Sequence, residues 1–548
     1  MSRATDRIPA GLVLLALVLG LAALAITVAA APVATSELTG WVVDAHGPVG
    51  GATVRVQATT NSTVTAADGT FTLGGLVEGV PVTVSAWKHT YYCAKVEGVV
   101  PPASGIGLTL RLYQTNDNPD YPWIAPAGEN SCASCKEAVT QIWLDNDLHA
   151  GAGTNPRFFS LYNGTDLTAT EVLSPGYKLD FPGTAGNCAT CHAPGAAVDA
   201  PFATDMDLLE GVDRDYGIHC DFCHKVADVY LDPATGRPYL NAPGVLSMDV
   251  RRPFPESERY QLFFGSFDDD NVPEEDTYLP LITRSQWCAP CHQFSFWGTP
   301  IYQSFREWQE SAYPALGIEC QACHMPPDGI LTNVAEGNGG VERDPLTIHA
   351  HSMPGAASED LLQNTVALTL TVEPRIGIVR ATVDLVNVAA GHHVPTDHPG
   401  RHMILVLTAV DAEGRPLPQV SGPTVPDWGG DQAGRPGKAF AKVLRDAASG
   451  ESPVVSYWKQ TFIESDNRLP AFGHDISTYA FAVPAAGGTI TVSAELRFRR
   501  LFEAEQDARG WNVPDVVMES TEIAVPAGPF WRLYLPLAIR DSPLRQSR

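Results

Sequence analysis

Positive charge is scarce in this chain. Lys and Arg together number 36 against 62 Asp and Glu, a formal charge of −26 over 548 residues. That deficit argues against nucleic-acid binding, which needs clustered basic side chains. Long apolar runs are scarce as well. Gly11–Ala30 is apolar almost throughout, and no later stretch could cross a bilayer. Behind Arg3 and Arg7 this run reads as a signal peptide or a signal anchor over residues 1–34. Either way the remainder is expected to be exported, on the extracellular or periplasmic side, soluble or held by the N-terminal segment. Cysteine outside a repeated pattern is almost missing. Cys93 alone stands apart, and it is read as a buried thiol rather than an intermolecular bridge.

The pattern is Cys-x-x-Cys-His. It occurs as Cys188-Ala-Thr-Cys191-His192, Cys220-Asp-Phe-Cys223-His224, Cys288-Ala-Pro-Cys291-His292 and Cys320-Gln-Ala-Cys323-His324, with a variant Cys132-Ala-Ser-Cys135-Lys136. Two thiols at this spacing add to the two vinyl groups of one porphyrin, and the adjacent imidazole ligates its iron. Structural zinc would not require histidine at the fifth place every time, and a redox dithiol needs one motif rather than four. Four haem c groups are therefore expected. A fifth is expected at the lysine variant, where a plain disulfide is the alternative. Haem attachment of this kind takes place outside the cytoplasm, in agreement with an export signal. The acidity of the chain, to which haem propionates would add, favours ferric iron and low potentials.

Three textures follow one another along the chain. Residues 36–112 carry short alternating runs, such as Thr53–Val56 and Val82–Val84, with Ala67-Asp68-Gly69 as a hairpin signal; they predict an N-terminal β-sandwich. Asn, Asp and Pro mark 113–130 as a linker. From 131 to 355 five sites share roughly 225 residues, so the porphyrins are expected to supply the core of a helix-and-loop cytochrome domain with little sheet. Cys188 and Cys220 are 32 residues apart, as are Cys288 and Cys320, and an offset of 100 relates Gly217-Ile218-His219-Cys220 to Gly317-Ile318-Glu319-Cys320. The simplest description is a duplicated haem pair plus one additional site. Residues 363–525 return to strands, at Val366–Val372, Arg380–Val386, His402–Val410 and Thr489–Phe498, and predict a C-terminal β-sandwich. A tail, 526–548, follows.

An electron-carrying iron takes a second strong axial ligand. Besides the four motif histidines, the cytochrome region holds His149, His219, His349 and His351, which are the distal candidates. His149 closes a stretch from Trp143 that reads as one helix. His219 directly precedes Cys220 and could reach only a neighbouring haem; a polar supporting role is the alternative. Met325 and Met353 could ligate but are read as space fillers. The cluster Gly391-His392-His393-Val-Pro395-Thr-Asp397-His398-Pro-Gly-Arg401-His402 could cap a haem, bind a separate metal, or simply close the last sandwich. The acidic run Phe267–Asp276 could take calcium but lacks the spacing of a known loop.

Lys136 could coordinate iron only when deprotonated, with its pKa lowered by the metal and by burial. An open opposite face would then admit a small oxyanion or amine. The lysine motif beside histidine motifs resembles the pentahaem ammonia-forming nitrite reductases and the octahaem tetrathionate and nitrite reductases, which implies a catalytic lysine-ligated haem. The Trp143–His149 stretch, the Gly-Ile-x-Cys-x-x-Cys-His context and the Gly-His-x-x-Pro-Thr stretch at His392 are similar to the broader multihaem family related to cytochrome c-554 and hydroxylamine oxidoreductase. Residues 36–112 resemble a carboxypeptidase-regulatory-like accessory module, which implies no catalysis. The nitrite reductases place an arginine, a tyrosine and a histidine over the haem. Arg157, Arg214, Tyr216 and His219 are available here, but no motif ties them to that role.

Two functions remain. The first is an exported pentahaem electron carrier, served by redox partner proteins or a membrane quinol-oxidising complex. The second is a terminal reductase of nitrite, hydroxylamine or a sulfur oxyanion at the Lys136 haem. The carrier reading needs only the haems and stands ahead.

Overall fold

The computed structural model describes residues 35–146, 148–255, 261–269 and 276–528. The leader expected over 1–34 and the apolar stretch of the tail lie outside the described residues. Among the described residues no helix is long and apolar enough to cross a membrane.

The chain divides into two compact units. The first comprises 35–88 and 94–111, and the second comprises 89–93 and the chain from 112 onward. In the first unit Thr35–Asp44 pairs antiparallel with Thr70–Val77 and parallel with Ala103–Thr109. A second sheet runs in the order Ser62–Val64, Thr53–Val56, Val82–Trp87, Ala94–Val99. Period-two alternation turns Val54, Val56, Phe71 and Leu73 inward, onto a core that includes Leu38, Val42, Val84 and Leu108. The turn at Asp68-Gly69 forms, with Gly69 at φ +76° and the Asp68 carboxylate accepting from the Thr70 amide. It does not make a hairpin. Ser62–Val64 pairs with Thr53–Val56 while Thr70–Val77 pairs with Thr35–Asp44, so the turn carries the chain from one sheet to the other.

In the second unit residues 113–130 have almost no regular structure but are pinned down. Asp117 and Asp199 hold the buried Arg252 guanidinium, and the Ile124 amide donates to Asp221. Residues 89–93, lying between two strands of the first unit in sequence, belong here. The Cys93 amide bonds the Asp276 carbonyl, and Tyr92 packs with Leu262, Phe264 and Leu279.

From 131 to 355 the longest described helix is Ala133–Asn146, Pro156–Asn163 makes about two turns, and the other helices are single turns or little more, interspersed with two-stranded ribbons. Each histidine motif winds one helical turn, Ala189–His192, Cys220–Cys223, Ala289–His292 and Cys320–His324. Past the histidine the chain leaves helical geometry, at Ala193 (φ −146°), Gln293 (φ −147°) and Met325 (φ −137°). In the lysine motif the break falls on Lys136 itself (φ −121°, ψ 47°), and the helix then resumes.

The last part is two stacked sheets. One runs Val366–Arg375, Ile378–Asn387, His474–Ala482, Gln419–Ser421; the other runs Thr461–Asp466, Gly437–Asp446, His402–Val410, Gly488–Arg499, Val516–Ala527. Val379, Ala381, Val383 and Leu385 alternate inward against Leu405, Leu407, Phe440 and Leu496. This sandwich is locked to the motif-bearing half through buried polar anchors. Arg509 donates to the carbonyls of Ser160, Thr165 and Pro175, Lys442 to those of Pro300 and Ile301, and the Trp458 indole to Asp180.

Candidate haem centre

The fold brings the five motifs side by side. Cys132 lies within hydrogen-bonding reach of Cys220, Cys191 of Cys291, and Cys288 of Cys320. Cys223 is an electrostatic neighbour of both Cys288 and Cys291. The motifs thus form one connected array with the Cys288–His292 turn at its branch point. No disulfide joins any of the eleven cysteines, Cys132 and Cys135 included. Gly244 makes one close approach possible: at φ +57°, a Cβ there would stand 2.0 Å from the Thr190 carbonyl oxygen and 3.0 Å from Cys191 Sγ.

Three of the four motif histidines are presented in one way. Nδ1 of His224 donates to the Phe264 carbonyl at 2.6 Å and that of His324 to the Pro354 carbonyl at 2.7 Å. His292 Nδ1 faces the Asp397 carboxylate at 3.4 Å. In each case Nε2 is left for a metal. Burial pushes His192 and His324 down to about 4 and His224 to about 3, so the rings are neutral, the form that ligates iron. Burial lowers His292 too, but the Asp397 hydrogen bond and charge outweigh it and the net shift is upward.

Opposite these rings stand further histidines. Two imidazoles bound to one metal at about 2.0–2.1 Å per bond have ring centres roughly 6.4 Å apart. His149 and His292 are 6.4 Å apart, His224 and His351 6.3 Å, and His324 and His392 6.2 Å. Each pair joins one motif histidine to one histidine distant in sequence. Supporting bonds turn the second rings in the same sense: His149 Nδ1 meets Met353 Sδ at 3.1 Å, and His392 Nδ1 the His393 carbonyl at 2.9 Å.

A cavity of about 1640 Å³ runs along His149, His192, His292, His324 and His392. A single small-molecule pocket measures roughly 300–1,000 Å³, so this space suits more than one large cofactor. The residues present fit haem c in thiol spacing, imidazole orientation and imidazole separation.

The other candidates have these surroundings. His219 is fully buried and caps the Cys220 turn: Nδ1 accepts from the Phe222 amide at 3.2 Å and Nε2 lies 3.4 Å from Asp213. Its repeat counterpart Glu319 likewise supports a motif, accepting from the Ser285 amide and hydroxyl. His349 bonds the Met325 carbonyl at 2.8 Å. Lys136 Nζ lies 4.7 Å from the centre of the Phe263 ring, which stacks on His224 at 3.9 Å. Tyr216 packs 6.0 Å from Trp143, and Arg214 reaches the Gly153 carbonyl and the Phe159 ring. Arg157 lines the large cavity. In the acidic run Asp269 is taken by Arg343, residues 270–275 lie outside the described residues, and among the described residues no group of three or more acidic, histidine or cysteine side chains could hold a metal ion.

His392 and Asp397 were not among the ligand candidates drawn from the cytochrome region. Both sit on the loop before His402–Val410. Glu307 ties that loop down by accepting from the His393 amide and the Thr396 hydroxyl while paired with Arg468. The density of histidines at 392–402 was the one available signal.

No protein-family description matches the chain, and no curated protein matches its sequence. Two cohesin–X-dockerin complexes of Acetivibrio cellulolyticus match 14% and 20% of this chain, at 23% and 17% identity, over 51% and 71% of those chains; their TM-scores of 0.12 and 0.13 carry no argument. A penta-heme cytochrome c552 from Thermochromatium tepidum matches over 72% of this chain and 97% of that one, with a TM-score of 0.51 and 22% identity. Over most of its length, then, this chain has the fold of a penta-haem c-type cytochrome.

Proposed function

We propose that the protein is an exported pentahaem c-type cytochrome that passes electrons through closely spaced haems. The observation that carries this is the set of three histidine pairs at 6.2–6.4 Å, each with one member in a Cys-x-x-Cys-His turn. Haem c supplies a one-electron ferric/ferrous couple when bound. The chain's own part is to hold each porphyrin by two thioethers and, at three of the sites, to present imidazoles from both sides. His149, His351 and His392 serve as the second ligands of the His292, His224 and His324 sites. The contiguity of the motifs keeps successive cofactors close. Redox partner proteins, or a membrane quinol-oxidising complex, would exchange electrons with it. The first unit acts as an accessory module of the carboxypeptidase-regulatory type.

The test is a spectroelectrochemical titration followed by electron paramagnetic resonance. At least three low-spin, bis-imidazole centres of low potential are expected. A protein with no such centres would refute the carrier reading. The second reading, a reductase of nitrite, hydroxylamine or a sulfur oxyanion, rests on lysine in place of histidine at Lys136. Turnover of any of the three with a reduced dye, lost in Lys136→His with the protein still folded, would establish it.

A further inference from the structure

The Cys188 turn differs from its three histidine counterparts. No histidine ring faces His192 at the 6.2–6.4 Å spacing among the described residues; Phe158 stacks on the flank of its ring at 4.3 Å. Beside Phe158, Arg157 lines the same cavity, together with Arg401 and Arg500 from the C-terminal sandwich. Arg500 lies in the field of both other guanidinium groups. Burial, with the charges of Arg157 and Arg401, lowers the pKa of Arg500.

None of the three is within ion-pair distance of a carboxylate among the described residues. The Nε atoms of Arg157 and Arg500 are buried without a hydrogen-bond partner. The acid nearest in effect, Asp397, is already engaged by His292 and by the Gln303 and Ser304 amides. Partly buried cations that repel one another are costly unless an anion joins them. Next to them Tyr302 and Tyr457 share a 2.8 Å hydrogen bond, and both feel the Cys191 thiol. Burial raises the pKa of both phenols, so they remain protonated donors.

We propose that Arg157, Arg401 and Arg500 form a binding site for a small oxyanion beside the haem carried by Cys188, Cys191 and His192. Planar forks of partly buried N–H donors suit a compact oxygen anion better than a spherical halide. The proposal rests on the multihaem reading and moves the substrate-binding position away from Lys136.

The test uses the full-length holoprotein, titrated with sodium nitrite and with sodium sulfite against equal ionic strengths of sodium chloride, and followed by difference absorption and calorimetry. Saturable binding of at least one oxyanion is expected. Arg157→Gln and Arg500→Gln should each weaken it by about tenfold or more, the loss of one charge-assisted bond, with haem spectra unchanged. Arg500→Lys should recover part of the affinity, and Arg306→Gln, a surface control paired with Glu310, should leave it alone. Absence of saturable binding, or variants that bind as tightly as wild type, would overturn the proposal and assign the arginines to haem propionates. Intact mass on the same samples separates this from a failure of the haem reading, which would appear as missing haem rather than missing affinity.

Discussion

The two halves of the second unit reach stability by different routes. Residues 363–528 close on themselves: two sheets alternate Val379, Val383 and Leu385 against Leu405, Phe440 and Leu496, and these side chains are completely buried. Residues 131–355 direct the Cys188, Cys288 and Cys320 turns, with several aromatic rings and His149, toward a shared cavity of about 1640 Å³. The first half is held by one large core of its own side chains; the second has smaller apolar clusters, such as that of Tyr162, Met206, Phe222 and Val245, beside a cavity that a cofactor would fill. Hence a sandwich can be recognised from alternation, while the motif-bearing region shows almost no periodicity. The sandwich is also a partner in the haem centre, because its loop supplies His392 and Asp397 and its strands position Arg401 and Arg500.

This contrast can be broken most forcefully at a motif histidine. His324→Ala should lose or expose the Cys320 haem and loosen the whole 131–355 region, seen as faster proteolysis there, while the β-sheet signal of 363–528 persists. Equal resistance in both halves would contradict the division of roles. The reverse experiment is Leu385→Ala, which should cost about 2–5 kcal/mol by denaturant unfolding of the sandwich, as buried leucine truncations do. Its haem spectrum in native buffer should be unchanged.

Two changes at the interface sharpen the comparison further. His392→Ala should convert one low-spin centre to high spin in the ferric protein, leaving the sandwich folded. Asp397→Asn acts more gently. A carboxylate acceptor strengthens the His292 imidazole as a donor and favours ferric iron, whereas the amide does so less. One midpoint potential should rise by on the order of 50 mV, corresponding to about 1 kcal/mol between charged and neutral hydrogen bonds. The smallest effect is expected from Tyr92→Ala, which removes packing beneath Phe264. Since the Phe264 carbonyl accepts from His224, only the Cys220 haem should respond, by a slight spectral shift.

Much of the haem centre was legible in sequence because covalent attachment demands two thiols and a histidine at fixed spacing. The sheets of 363–528 were legible from strand alternation, as at Ile378–Asn387. What could not be read was three-dimensional pairing. His392 lies outside the motif region, and nothing local shows that its ring comes within 6.2 Å of His324. Sequence left His219 open between ligand and polar support; only the fold shows that its Nδ1 caps the Cys220 turn and that Asp213 faces its Nε2. Asp68-Gly69 gave a turn but not which sheets it joins, since strand partners are chosen by packing over long range. Residues 89–93 show the same limit: a five-residue excursion between two strands carries no mark that it serves another unit.

The most direct test of the central claim is the intact mass of the purified protein under denaturing conditions. Thioether-bound haem survives denaturation, so five haem masses above the mature polypeptide are expected. Four would indicate that Cys132 and Cys135 carry none and would remove the lysine-ligated site. A mass equal to the bare polypeptide, in protein matured under conditions that load other c-type cytochromes, would contradict the account as a whole.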